Sequence, residues 1–311
     1  MLDCNLSGDM MSSVKGLQSP KEISLSGDVL ALLQQVDEDL EQVNGLRPFD
    51  KTAEDRIRRA FLPDRVTATL NIEGIAATRR QTLAIMDALV VSQQIAKEDQ
   101  EIANALRADE FVFEAHEDKV EFDLSLIRQI NSQILEGVKG EGGSFRKSVV
   151  KITGAEFTPP SPEDIVPLLQ QVQKLEKEAL LLHPIVHAAW LHHQVAFVHP
   201  FIDGNGRTAR LVQDFALLKR GLFPIGVPSS QRDRYYNALQ CADAGEWDEL
   251  VSLLAQNELT TLGKIEAIAA ETVERAKWIT RLASVANEKK TGALYKQYAV
   301  WKTRIEQVRD A

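Results

Sequence analysis

The chain has 311 residues, 44% of them hydrophobic and 26% charged, with a formal net charge of −9. Such a length and balance suit an ordinary globular protein of one large domain or two small ones. The acidic excess argues against nucleic acid or a membrane surface as the main partner, no apolar run is long enough to span a bilayer, and Cys4 and Cys241 provide neither a disulfide framework nor metal-ligand spacing, so a cytoplasmic setting is the simplest expectation.

Residues 1–28, rich in Ser, Gly and Lys, read as a loosely ordered N-terminus. Val29, Leu32, Leu33, Val36, Leu40 and Val43 then recur at helical spacing up to Asn44-Gly45. A short helix is expected over Thr52–Phe61, with Pro63 after it, and a separate helical piece over Thr67–Gly74. Thr78 and Gln81 make a capping box that opens a long helix to about Ala108. Phe111–Phe122 is ambiguous between a short strand and a loop. Asp123–Glu136 is a helix with Leu124, Ile127, Ile130, Ile134 and Leu135 inward and Gly137 at its end. Gly142–Thr158 carries the one β pattern, with Val149, Val150 and Ile152 before a Gly154-Ala155 turn and Phe157 beyond it. Ser161-Pro162-Glu163-Asp164 starts another helix. Further helices are expected over Pro184–Phe197, Thr208–Lys219, Arg232–Ala244 and Trp247–Leu262, followed by a charged, patchily amphipathic tail. The sum is an all-α chain with one β-hairpin.

One segment concentrates the chemistry: His199-Pro200-Phe201-Ile202-Asp203-Gly204-Asn205-Gly206-Arg207-Thr208-Ala209-Arg210. A glycine-rich turn opening a helix offers free N–H groups and a helix dipole to an anion. Arg207 and Arg210 add charge suited to phosphate, Asp203 is a hard oxygen ligand for Mg²⁺, and His199 at the edge of such a cradle is a natural general base. His187, His192 and His193 read as plain core histidines.

The segment resembles the signature of the Fic family, H-x-F-x-[DE]-G-N-G-R-x-x-R, with every specified position met. The resemblance spans roughly Thr67 to Leu254. It implies the Fic helical bundle with a β-hairpin flap, and transfer of AMP from ATP to a hydroxyl of a target protein. The implied domains are N-terminal helices over 29–110, a Fic core over 111–262 and a helical tail over 263–311. In its terms His199 is the base and Phe201 fixes the loop. Asp203 holds Mg²⁺, Gly204, Asn205 and Gly206 form the anion hole, Arg207 meets the β-phosphate and Arg210 the γ-phosphate. Gly143-Ser144-Phe145-Arg146 and Val150-Lys151-Ile152-Thr153-Gly154 resemble the flap, on which a target segment docks as an added strand. Arg232–Leu239 resembles R-x-x-Y-Y-x-A-L, which puts Tyr236 beside the nucleoside. Thr69-Leu70-Asn71-Ile72-Glu73-Gly74 resembles the inhibitory motif [ST]-x-x-x-E-[GN], which implies that Glu73 competes with the γ-phosphate for Arg210. Self-modification and a homodimer are further expectations, and neither nucleic acid nor a membrane is an expected partner. Removal of AMP, transfer of another phosphate-linked group and a non-catalytic interaction module are the alternatives.

Overall fold

A computed structural model of the chain describes residues 17–91, 95–138, 141–151, 157–287 and 291–309. Among the described residues all regular structure is helical. The α-helices are α1 (Gly27–Asn44), α2 (Lys51–Ile72), α3 (Arg79–Val91), α4 (Gln100–Glu117), α5 (Leu124–Leu135), α6 (Ile165–Ala179), α7 (Pro184–Val198), α8 (Asn205–Lys219), α9 (Arg232–Asp243), α10 (Asp248–Asn287) and α11 (Thr291–Arg309). Short 3₁₀ turns precede α4, α6 and α9.

The architecture is organised around α7. Ile185 to Val198 are buried almost without interruption, so this helix is apolar all round rather than on one stripe and must lie inside the bundle. It packs along α8 and against α6, α9 and α10, while α4 and α5 close over the other side of α8. Each fully buried aliphatic residue here, such as Val195 or Leu217, contributes about 1.5–3 kcal/mol of transfer free energy. The capping signals act as expected. Thr78 Oγ1 accepts from the Gln81 N–H at 3.3 Å and Gln81 Oε1 from the Thr78 N–H at 3.1 Å, and α3 begins at the next residue after Thr78. Asp123 Oδ1 accepts from the Leu126 N–H at 2.8 Å and starts α5.

Three expectations change. Pro63 does not end a helix: α2 runs through it without a break, so the pieces expected at Thr52–Phe61 and Thr67–Gly74 are one element. Burial of Leu62, Pro63, Val66 and Leu70 on one side of α2 outweighs the lost hydrogen bond. The long helix from Thr78 is two helices, α3 and α4. Phe111 to Glu117 are neither strand nor loop but the end of α4, because Ala108, Val112 and Ala115 face the core at helical spacing. The turn of the expected β-hairpin falls outside the described residues. Residues 144–151 are described without a strand, and Ile152, Thr153, Gly154, Ala155 and Glu156 lie outside the described residues.

Candidate active site

His199 sits at the C-terminus of α7 with φ 48° and ψ 58°, a left-handed conformation uncommon outside glycine. Arg146 holds it there. Its buried guanidinium donates from Nε to the His199 carbonyl at 2.8 Å, from Nη1 to the Ser148 carbonyl at 3.1 Å and from Nη2 to the Pro160 carbonyl at 2.6 Å. Its own N–H donates to the Pro200 carbonyl at 2.9 Å. Carbonyls left over at the helix end are thus satisfied by one side chain. The His199 ring places Nδ1 3.3 Å from the Ala196 carbonyl. A carbonyl only accepts, so Nδ1 carries the hydrogen and Nε2 keeps its lone pair. Burial, with the Arg146 charge acting the same way, lowers the imidazole pKa to about 4. His199 is therefore neutral near pH 7 and able to take a proton.

The turn after it is built from within. Asn205 Oδ1 accepts from the Phe201 N–H and Asn205 Nδ2 donates to the Phe201 carbonyl, both at 2.9 Å. This side chain was expected to add a donor to the anion hole. Its Oδ1 and one N–H of its Nδ2 close the loop, which leaves the second Nδ2 hydrogen and the backbone N–H as its remaining donors. Phe201 is buried, with its ring centroid 5.6 Å from that of Phe145. Gly204 has φ 77°, and a Cβ there would come within 2.9 Å of Asn131 Nδ2. Asn131 lies in the apolar stripe of α5. It donates to the Asp203 carbonyl at 3.0 Å and to Thr208 Oγ1 at 3.2 Å, and accepts from the Gly143 N–H at 2.9 Å. Helix α8 starts at Asn205, three residues earlier than expected, and its first intrahelical bond runs from the Thr208 N–H to the Gly204 carbonyl at 2.8 Å. The N–H groups of Asn205, Gly206 and Arg207 are left as orphan donors aimed at an anion.

An anion of the chain itself lies against that end. Glu73, at the C-cap of α2, places its carboxylate against Gly206 so closely that a Cβ there would collide with Oε1. The same oxygen accepts from Arg210 Nη2 at 2.5 Å. Arg210 is buried and fully engaged: Nε donates to Thr69 Oγ1 at 2.7 Å, Nη2 to the Thr69 carbonyl at 3.3 Å and Nη1 to the Tyr235 hydroxyl at 3.3 Å. That hydroxyl also meets His192 Nε2 at 2.9 Å, while His192 Nδ1 lies 2.8 Å from Gln213 Oε1. Burial pushes the Glu73 carboxyl upward, but Arg210, with Arg207 and His199 behind it, outweighs this and leaves it below the usual range.

Glu73, His199, Gly206, Arg210 and Tyr236 line one cleft of roughly 450 Å³, and Tyr236 is 39% exposed at its edge with Arg232 4.9 Å from its ring. His193, buried like His187 and His192, borders this cleft and is paired through Nε2 with Asp243 Oδ1 at 2.8 Å. Arg207 lines a small cavity beneath α2 that Arg210 also borders, with Nη2 3.4 Å from Asp203 Oδ1. Asp203 is 57% exposed, and its Oδ1 accepts from the Gly204 N–H at 2.5 Å. One exposed hard carboxylate beside a helix N-terminus fits Mg²⁺, which takes its remaining ligands from phosphates and water. No cluster of three His, Cys, Asp or Glu side chains is present among the described residues to hold a metal without substrate. Val150 and Lys151 lie in the described part of the expected flap, and Ile152 outside it.

Arg146, Asn131, Thr69 and Tyr235 are the site residues that sequence patterns did not single out for a role. Asn131 had a visible signal, a buried-stripe position occupied by an amide, and Arg146 stood in the flap motif without its own function.

With this geometry in place, comparison with known proteins gives a consistent picture. Residues 121–217 match the Fic/DOC family. Protein adenylyltransferase Fic of Drosophila persimilis and that of Drosophila ananassae are each 32% identical over 198 residues, which is 62% of this chain and 39% of theirs. The chain thus spans about two fifths of the length of these curated relatives. Among solved structures, Fic-1 (aa134–508) from C. elegans superposes with a TM-score of 0.68 at 26% identity, covering 79% of this chain and 73% of that one. A Fic domain containing signaling protein from Bacteroides thetaiotaomicron gives 0.68 at 23% identity, covering 77% and 98%, a likeness of fold. The stretch that matches the Fic/DOC family holds Asn131, Arg146 and His199 to Arg210, while Glu73, Tyr235 and Tyr236 lie outside it. No helix among the described residues is long and apolar enough to cross a membrane.

Proposed function

We propose that the chain is a protein adenylyltransferase held in a resting state by Glu73. The observation that carries this reading is the Glu73 carboxylate seated on Gly206 and Arg210, in the cleft that His199 shares. An anion-binding helix end already covered by a carboxylate is competed for by a triphosphate.

In the active state the triphosphate of ATP takes the place of Glu73. Its phosphates meet the orphan N–H groups of α8, with Arg207 at the β-phosphate and Arg210 at the γ-phosphate, and its nucleoside lies toward Tyr236. Asp203 would hold Mg²⁺, which supplies charge neutralisation on the phosphate oxygens. A Ser, Thr or Tyr hydroxyl, on a target or on the chain itself, is presented along Val150, Lys151 and Ile152. His199 Nε2 takes its proton as the oxygen bonds to the α-phosphorus, and the bond to the bridging oxygen breaks to release pyrophosphate. Neutrality of the imidazole near pH 7 supports the base role.

A second reading is removal of AMP. Glu73 lies near enough to His199 for its charge to act on the ring, and such a carboxylate could orient a water toward a phosphodiester.

The experiment is incubation with α-labelled and γ-labelled ATP in parallel, for wild type, Glu73→Gly and His199→Ala. Adenylyl transfer predicts protein label from the α-phosphate only, and a loss of about 10²–10⁴-fold on replacing His199. Label from the γ-phosphate alone overturns the reading. An AMP-releasing activity of wild type that Glu73→Gly lacks makes the second reading the better one.

A further inference from the structure

Glu73 ends α2, and the other half of that helix borders a groove that the active site does not use. The groove, roughly 870 Å³, runs between α2 and α4 with Leu218 and Phe223 at its base. Ile57, Phe61 and Arg65 line it from α2, each four residues from the last, and Asp109 and Phe113 line it from α4 in the same way. Phe49, Phe61, Phe113 and Phe223, all half-buried, share this one feature.

Its aromatic rings already receive cations. The guanidinium carbon of Arg47 lies 4.8 Å from the centre of the Phe223 ring and 5.8 Å from that of Phe49, and that of Arg65 lies 5.8 Å from Phe113. The rim carries surplus negative charge. Arg58 is paired with Glu110 and Arg65 with Asp109, whereas Glu54, Asp55 and Glu117 have no ion-pair partner among the described residues and outnumber Arg47, the one lining arginine also outside an ion pair. Aromatic faces beneath unbalanced carboxylates are the chemistry that takes an organic cation with an apolar body.

The floor of the groove connects it to the active site. Arg65 and Asp109 are both nearly buried, and both also line the small cavity that extends to Arg207, Arg210 and Asp214. The pair fastens α2 to α4, and Asp214 of α8 lines the same small cavity. Removing one partner of a buried pair is strongly destabilising, so whatever competes for Asp109 weakens the seat of α2.

We propose that the groove is an effector site for a small organic cation with an aromatic body, which takes Asp109 and the Phe113 ring from Arg65 and thereby loosens α2 on the core. The consequence for Glu73 and Arg210 rests on the autoinhibited reading above; binding and the loosening of α2 do not.

The probe is tryptamine, with its neutral analogue tryptophol as control, added to the full chain. Binding is followed by backbone amide shifts and the state of α2 by hydrogen exchange of its amides. Tryptamine should shift groove amides and bind at least about tenfold more tightly than tryptophol, about 1.4 kcal/mol. Phe113→Ala, and the surface variant Glu54→Gln/Asp55→Asn/Glu117→Gln, which leaves the core intact, should each weaken it several-fold. Bound tryptamine should speed exchange in α2 and raise self-labelling from α-labelled ATP toward the Glu73→Gly rate. Equal binding of tryptophol, or unaltered binding by the rim variant, overturns the site. Binding with no change in α2 exchange overturns its effector role. Faster α2 exchange together with a Glu73→Gly protein no more active than wild type leaves the effector site standing and overturns the autoinhibited reading instead.

Discussion

Two arginines one turn apart on α8 each meet a carboxylate, and the two pairs differ in almost every physical respect. Arg207 faces Asp203 at 3.4 Å within a single turn of chain, and the Asp203 side chain is 57% exposed. Arg210 faces Glu73 at 2.5 Å across 137 residues of sequence, with side-chain exposures of 7% and 28%. The first pair is screened by water and held by local geometry, so it contributes little and leaves Asp203 available to a ligand. The second is shielded, backed by Thr69 and Tyr235, and lies against Gly206 in the first turn of the helix. Strength therefore lies where the chain has to bring distant segments together, and that is where a switch can be placed, because separating α2 from α8 breaks it.

The largest expected effect tests the switch. Glu73→Gly should raise self-modification by about 5–150-fold, the span of a coupling of 1–3 kcal/mol, measured as label from α-labelled ATP. Equal rates for the two proteins would remove the contrast between the pairs.

Next is the coupling itself. In a double-mutant cycle of Glu73→Gly and Arg210→Ala, urea unfolding should give an interaction energy of about 0.5–3 kcal/mol, and the activity gain of the first change should be mostly lost in the double variant. Simple additivity in both readouts would mean that the contact is incidental.

A pH series sharpens the comparison further. The His199 pKa is lowered from 6.5 to about 4, so between those values the unfolded chain takes a proton that the folded chain refuses. Stability should fall as pH drops through that window, and His199→Ala should flatten the slope. Glu73 has the depressed pKa of a paired carboxylate, so its contribution is present above its unfolded value near 4.5 and is lost only as pH falls below that through the folded value. The pair should therefore persist through most of the window in which His199 costs stability. A slope indifferent to His199 would show that other groups control it.

The smallest effect belongs to the local pair. Asp203→Ala should change unfolding free energy by less than about 1 kcal/mol while raising the Mg²⁺ concentration needed for transfer. Undiminished transfer by Asp203→Ala in excess chelator would remove Asp203 from metal binding.

Much of the site was legible because its pieces are adjacent in sequence. A histidine, a glycine turn and two arginines within twelve residues announce an anion site wherever they fold, and the caps at Thr78 and Asp123 act over three residues. Reading failed where long-range packing prevailed over local preference. Pro63 breaks helices in isolation, but burial along α2 carries the helix through it. The two bonds by which the Asn205 side chain closes the loop on Phe201 also have no signal in the sequence. Arg146 and Asn131 stay silent in sequence because their partners are backbone carbonyls and N–H groups, which every residue possesses.

By itself, then, the sequence determined the helical class, the starts of α3, α5 and α7 and the glycine turn that opens α8, while the pairing of Glu73 with Arg210 was implied by the family resemblance. Only the tertiary structure decided that α2 is one continuous helix, that Arg210 meets Glu73 while Arg207 meets Asp203, and that partial burial lowers the His199 pKa. The physical reason is range. Caps, turns and periodicity are interactions over a few residues, whereas desolvation and buried ion pairs depend on which distant surfaces close over a side chain, and that is settled only when α2, α4, α7 and α8 are packed together.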